Sequence, residues 1–153
     1  MQLTTSNIVK LLNVRGVGRV KVFKLAELIK FAPHDDAELA DALSEHLHAV
    51  KIPSVSRPEM LESFAKVHDL LEVSAQKGIK TISYFEQCFP ALLKQIDTPP
   101  IILHIVGNID SLSMPTVAVI GTREPSDYGK KVGERIGYRL GESHIHVISG
   151  LAI

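Results

Sequence analysis

The sequence predicts an α/β protein in which a helical N-terminal domain precedes the first part of a doubly wound, mainly parallel α/β domain. Up to about residue 78, apolar residues recur at helical spacing. Later, the apolar run 117–120, Gly121, a helical stretch and the apolar run 145–148 follow in the order strand, glycine turn, helix, strand. We therefore predict two domains, at 1–78 and 79–153.

The N-terminal part is predicted to contain four helices, which begin at capping residues or after turns and end near proline or glycine. The second helix is predicted over about 19–31, and Gly78 is predicted to end the fourth. The predicted caps of the first, third and fourth helices are Thr5 or Ser6, Asp35 or Asp36, and Ser56. The residues predicted to share the inner faces are Ile8, Leu11, Leu12, Val22, Leu25, Leu28, Ile29, Leu39, Leu43, Leu47, Met60, Phe64, Val67, Leu70 and Leu71.

The pattern changes after Gly78, where shorter elements are predicted. Residues 81–84 are predicted to form a strand, 91–96 a short helix, and 101–106 a second strand. The run 101–106 is apolar except for His104, which indicates a buried strand. A helix is predicted to begin near Ser126 or Asp127 and to lead to the strand 145–148.

Composition and charge exclude several classes of protein. The 17 basic and 17 acidic residues balance, so any attraction for an anion has to be local. The single cysteine, Cys88, excludes an internal disulfide and a cysteine zinc cluster, and it suits a reducing cytoplasm. No apolar run reaches the length of a membrane span, and the N-terminus lacks the features of a signal peptide. We expect a cytoplasmic protein without a membrane segment.

The turn after the 117–120 strand is the main candidate site. A strand that feeds a helix through a tight turn directs backbone N–H groups and the positive end of the helix dipole at one point, which favours anions. A dinucleotide fingerprint needs three glycines, but the sequence has Gly121, Arg123 and Ser126 at those positions. A guanidinium is well suited to phosphate oxygens, and Thr122 adds a hydroxyl. We interpret the turn as a phosphodiester site.

Two alternatives remain open at this turn. Arg123 could instead pair with Glu124 or Asp127, or bind a carbonyl. The second strand end, Ser149-Gly150, would lie beside the first in a parallel sheet and could bind a neighbouring phosphate, or it could be a plain strand end.

The turn between the first two predicted helices is a possible secondary DNA contact. The segment 13–18 has the Gly-h-Gly arrangement of helix-hairpin-helix modules, whose backbone N–H groups contact DNA phosphates without reading sequence. The alternative is an ordinary glycine turn in a helical bundle. The candidate contact residues are Arg15, Gly16, Gly18, Arg19 and Lys21.

No metal, cofactor or catalytic residue is predicted. The closely spaced histidine pairs, 46 with 48 and 144 with 146, lack a further ligand at suitable spacing. Cys88 has no activating histidine nearby in the sequence, and no nucleophile–base arrangement is found.

Four ordered motifs within 79–152 resemble those of the DprA/Smf family of DNA-processing proteins. The first two are similar to the family's Tyr-Pro-x-x-Leu step, with phenylalanine for tyrosine, and to its Asp-x-Pro-Pro…Leu…Gly segment. The other two are similar to its Gly-Ser/Thr-Arg…Tyr-Gly motif and to its Ser-Gly-Leu-Ala. In this chain the four lie at 89–93, at 97–107, at 119–123 with Tyr128-Gly129, and at 149–152.

The resemblance implies an extended Rossmann-like domain that binds single-stranded DNA, with a role in natural transformation in which incoming strands are protected and RecA is loaded. It also implies a homodimer and a protein that is not an enzyme. DNA phosphate contact carries over to Gly121, Thr122 and Arg123. The helical N-terminal part is compatible with the variable N-terminal domain of the family.

A second hypothesis is a Rossmann-like domain that binds or processes a nucleotide or a nucleotide sugar. It requires a catalytic carboxylate near the turns, for which Glu124, Asp127 and Glu134 are candidates. We also expect the chain to be a fragment, because two strands of a doubly wound core would leave a long apolar edge unpaired.

Overall fold

The computed structural model describes residues 3–150. The chain divides into two compact units, Met1–Gly107 and Asn108–Ile153, and each is described by itself.

The first unit contains the four predicted helices. They are α1 (Thr5–Asn13), α2 (Arg19–Leu28), α3 (Asp36–His46) and α4 (Arg57–Gln76). The cap of α1 is Thr4, one residue before the predicted position, because its side chain accepts the N–H of Asn7 at 3.2 Å. Helix α2 ends at Leu28 and not near 31, because Ile29 has an extended backbone. The predicted caps of the other two helices are confirmed at Asp35 and Ser56.

The core of the first unit lies between these helices. Phe64 and Met60 of α4 are fully buried. Of the residues predicted for the inner faces, Leu70 is wrong, because it is exposed on the outer side of α4. The other large side chains of the helical core that are fully buried are Ile8, Leu11, Val22, Leu25, Leu39, Leu43 and Val67.

The strands β1 (Ile79–Ser83) and β2 (Ile102–Val106) pair antiparallel in the first unit. Tyr84 and Phe85, which follow β1, pack edge-on against Phe23 of α2 at centroid distances of 4.9 and 5.6 Å. Because of this packing, the compact units divide at 107, after β2, and not at the domain boundary predicted near 78. The predicted helix 91–96 is a short 3₁₀ helix, Leu93–Gln95.

The second unit begins with a 3₁₀ helix (Ile109–Ser113) and then has the predicted order of strand, turn, helix and strand. Its elements are β3 (Thr116–Ala118), α5 (Asp127–Glu142) and β4 (His146–Ile148), and the two strands pair in parallel. Among the described residues of this unit, none is fully buried, and Ile120 is 86% exposed.

Candidate nucleic-acid interface

The predicted phosphate turn connects β3 to α5, as expected. Gly121, Thr122 and Arg123 are all exposed. The Thr122 hydroxyl accepts the N–H of Glu124 at 3.3 Å, which shapes the turn. Ser126 caps α5 by accepting the N–H of Gly129 at 3.2 Å. The remaining N–H groups of the first turn of α5 lack a partner within the helix and make its N-terminus attractive to anions.

The parallel pairing brings the two predicted turns to one edge of the sheet. Ala118 is opposite Ile148, and the N–H of Val119 donates to the carbonyl of Ile148 at 2.9 Å. The chain segments that leave the two strands here are therefore neighbours, so Ser149 and Gly150 follow β4 beside the turn that follows β3. We call Gly121, Thr122, Arg123, Ser149 and Gly150 the strand-end site. Leu151 and Ala152, which complete the fourth motif, lie outside the described residues.

Within the described residues, no intramolecular contact accounts for a glycine at 121. Its φ does not lie in the left-handed region, and a Cβ added there would meet no heavy atom within 4 Å. Glycine therefore leaves open space above the turn, where a bound group could approach the backbone closely.

The guanidinium of Arg123 has no ion pair or hydrogen bond with any residue in 3–150. The alternatives in which Arg123 pairs with Glu124 or Asp127, or binds a carbonyl, are not realised among these residues. The Asp127 carboxylate lies 3.6 Å from the ammonium of Lys130. The strand-end site thus combines an unpaired, exposed guanidinium with a hydroxyl and exposed backbone amides, which is chemistry suited to phosphate oxygens.

The predicted secondary contact, between α1 and α2, is a tight turn. Gly16 has a φ of +83° and packs against Pro53, whose Cδ would be 3.2 Å from an added Cβ. Gly18 is the N-cap of α2 and provides no side-chain cap, so amides at the start of α2 lack a partner within the helix.

Two of the basic residues at this turn have intramolecular hydrogen bonds. The Lys21 ammonium donates to the carbonyls of Gly16 and Lys51 at 2.8 and 3.0 Å. The Arg19 guanidinium donates to the carbonyl of Pro99 at 3.0 Å. These three hydrogen bonds stabilise the turn and its surroundings, whereas Arg15 is exposed. DNA contact by this turn stays a prediction.

The other chemically active side chains do not form a site in the part of the chain that is described. No cluster of three or more histidine, cysteine or acidic residues is arranged to hold a metal ion there. Desolvation and the nearby Glu86 carboxylate raise the pKa of the Cys88 thiol, which is the opposite of what a reactive cysteine needs. None of the described helices is long and apolar enough to cross a membrane.

Two exposed tyrosines were not predicted as site residues, although the third family motif includes Tyr128. Tyr128 and Tyr138 lie on α5 with 78% and 67% of their surfaces exposed. Helical spacing could have found them, because they share one face of the helix with two basic residues.

Comparison with known protein families gives a match over residues 80–153 to the family described as "DNA recombination-mediator protein A". The matched range includes the whole strand-end site.

Curated relatives match as well. The chain is 28% identical to the DNA processing protein DprA of Streptococcus pneumoniae over 152 residues, which cover 99% of this chain and 51% of that protein. It is 29% identical to the protein Smf of Synechocystis, covering 91% of this chain and 36% of that protein. It is 30% identical to the DprA of Bacillus subtilis, covering 61% of this chain and 32% of that protein. The chain thus spans from about a third to about half of the length of these relatives.

Among solved structures, the X-ray structure of DprA from Streptococcus pneumoniae matches with a TM-score of 0.64 and 25% sequence identity. The match covers 99% of this chain and 50% of the solved chain. It confirms the predicted fold class, a helical part followed by part of a Rossmann-like domain.

Proposed function

The chain belongs to the DprA/Smf family of DNA-processing proteins, and from this premise we propose that it binds single-stranded DNA through phosphate contacts at the strand-end site. The observation that carries the proposal is the exposed guanidinium of Arg123, which has no ion pair among residues 3–150 and lies where the ends of two parallel strands meet. A DNA strand presents a row of phosphates, and each can accept a bidentate pair of hydrogen bonds from a guanidinium.

The residues of the strand-end site argue for binding of a DNA strand and against binding of a dinucleotide. Two of the three glycines of a dinucleotide fingerprint are replaced, by Arg123 and Ser126, and Ser126 is used as the cap of α5. Contacts to phosphates alone do not read bases, so binding should show little preference for sequence.

We propose further that the protein acts in natural transformation, where it protects incoming strands and helps to load RecA, and that it does so as a homodimer without enzymatic activity. Membership of the family supports this wider role. The turn between α1 and α2, which includes the exposed Arg15, would provide a secondary DNA contact.

The test is the affinity of the protein for a fluorescently labelled oligothymidylate, measured by anisotropy over a range of salt concentrations. Arg123→Ala is expected to weaken binding several-fold at low salt. It is also expected to reduce the slope of log K against log salt by about 0.7 for each phosphate that the variant no longer binds. Arg139→Ala is the matched control, because it also removes one arginine from this unit, but one that is paired with Glu142 at 3.1 Å.

Equal affinities of the wild type and Arg123→Ala at low salt would contradict the assignment of the site. Calorimetric titration with mononucleotides and nucleotide sugars addresses the other function. If such a molecule binds tightly and an oligonucleotide does not displace it, the small-molecule hypothesis is favoured.

A further inference from the structure

Helix α5 carries a regular row of exposed aromatic and basic side chains. Tyr128, Lys131, Arg135 and Tyr138 follow one another at intervals of three, four and three residues, so they lie along one face of the helix. All four are exposed. We call these four residues the tyrosine–cation stripe.

The stripe is not the face through which α5 packs on its own sheet. The residues of α5 that are half-buried are Gly129, Val132 and Leu140, which lie on a different side of the helix. Packing within the described part of the second unit therefore gives no reason for two large aromatic rings on the stripe.

The charges of α5 divide into paired and unpaired groups. Lys130 lies 3.6 Å from Asp127, and Arg139 donates to Glu142 at 3.1 Å. Neither Lys131 nor Arg135 has an ion pair with any residue in 3–150. Among the described residues, the two cations of α5 without an ion pair are the two that lie between the tyrosines on the stripe.

This arrangement matches the chemistry of single-stranded nucleic acid. Backbone phosphates need cations, and unstacked bases gain from aromatic rings because every base has a π-face. An acidic protein surface would use the cations but would have no comparable need for two exposed tyrosines. At a rise of 1.5 Å per residue the stripe is about 15 Å long, which corresponds to about four phosphates at the ~3.4 Å spacing of a stacked strand.

The stripe also begins close to the strand-end site. Tyr128 is two residues after Ser126, the cap of α5, and five residues after Arg123. A strand bound at the turn could therefore continue along the helix.

We propose that the tyrosine–cation stripe is a second contact track for the same DNA strand. Lys131 and Arg135 bind its phosphates, and Tyr128 and Tyr138 stack on its bases. The inference rests on the proposed function, which it extends from one turn to a path along α5.

The charge test compares two double variants by anisotropy with the labelled oligothymidylate. Lys131→Gln with Arg135→Gln is expected to lower the affinity at least tenfold and the magnitude of the salt slope by about 1.4, which is about 0.7 for each of two phosphates. The control, Lys130→Gln with Arg139→Gln, removes the same charge from the same helix but from the paired positions. Equal reductions of affinity in the two variants would overturn the inference, because they would show only a general effect of net charge.

The stacking test replaces the tyrosines. Tyr128→Leu with Tyr138→Leu is expected to weaken binding about fivefold for each ring and about 25-fold together, whereas the two Tyr→Phe changes should leave affinity close to that of the wild type. Because both residues are exposed, all variants should keep the wild-type circular dichroism spectrum. If the leucine changes leave the DNA affinity unchanged, the stripe does not stack on bases and this inference is overturned. A protein partner would then be the remaining candidate for this surface.

The two proposals fail in different ways. If Arg123→Ala leaves the DNA affinity unchanged, the strand-end assignment is wrong. The stripe is then tested on the DNA binding that this variant retains. If Arg123→Ala weakens binding but the stripe variants behave like their controls, the proposed function stands and the stripe inference is overturned. Absence of any binding by the wild type overturns both.

Discussion

The two glycines of the turn between α1 and α2 are expected to have different roles, although they are separated by a single valine. Gly16 has a φ of +83°, and an added Cβ would be 3.2 Å from Cδ of Pro53. Gly18 has a φ of −94°, which any residue adopts, and an added Cβ would meet nothing within 4 Å. We predict that Gly16→Ala destabilises the protein and that Gly18→Ala changes its stability little.

The magnitudes follow from these geometries. A left-handed conformation costs an alanine about 1–2 kcal/mol, and the proline ring of Pro53 cannot rotate away from the new methyl group. Reduced freedom of the unfolded chain offsets about 0.4–1 kcal/mol. The net destabilisation at Gly16 is therefore about 1 kcal/mol or somewhat more. At Gly18 the weaker N-cap costs up to about 1 kcal/mol, but the same offset brings the net change to within about 0.5 kcal/mol.

The assay is urea unfolding of both variants, followed by circular dichroism of the helices. At an m-value of about 2 kcal/mol/M, a difference of about 1 kcal/mol separates the two midpoints by about 0.5 M. Equal midpoints would refute the reasoning, because they would mean that the positive φ and the contact with Pro53 do not determine the choice of glycine. If the prediction holds, Gly18→Ala is a folded variant in which to test whether this turn binds DNA.

Two further predictions concern α4. Phe64→Ala should lower the free energy of unfolding by about 3–5 kcal/mol, because this ring is fully buried. Leu70 is 54% exposed, so Leu70→Ala should change the free energy of unfolding by less than about 0.5 kcal/mol. Similar decreases for the two variants in urea unfolding would contradict the observed burial. The hydroxyl and the backbone N–H of Ser56 hold the pKa of Glu59 below its ordinary value of 4.5 in the folded protein. The stabilisation from this carboxylate is therefore present above pH 4.5 and is lost as the pH falls through the lower pKa of the folded state. The urea midpoints of the wild type and Glu59→Gln should therefore differ at about pH 6 and converge toward about pH 3. A constant difference between the two midpoints at all pH values would contradict this role.

Local signals in the sequence predicted the helices well but not all of their ends. The caps Asp35 and Ser56 were recognisable because a side chain and a backbone N–H three residues later suffice to form them. The end of α2 was predicted three residues too late, because Ile29 continues the apolar pattern although its backbone has left the helix. Apolar spacing reports which side chains are buried and does not report where the backbone changes direction.

The candidate site was likewise predicted only in part: its position was predicted, but the pairing of its arginine was not. The order of strand, glycine turn, helix and strand identified Gly121 to Arg123, because each element has its own local pattern. Whether Arg123 is paired could not be predicted, since Glu124 and Asp127 are both within reach along the chain and Lys130 competes for Asp127. The pairing of Asp127 with Lys130 depends on the helix that holds them one turn apart.

By itself, the sequence determined the fold class, the family motifs and the position of the candidate turn, because all three depend on residues close together in the chain. Only the tertiary structure decided which parts of the chain pack together. It placed β1 and β2 with the helices, through contacts of Tyr84 and Phe85 with Phe23, and it aligned the end of β4 with the end of β3. It also left Arg123, Lys131 and Arg135 without ion pairs among the described residues. The physical reason is that packing and strand register join residues far apart in the sequence. Charge pairing depends on where the folded backbone holds each side chain, and no local pattern records which partners meet.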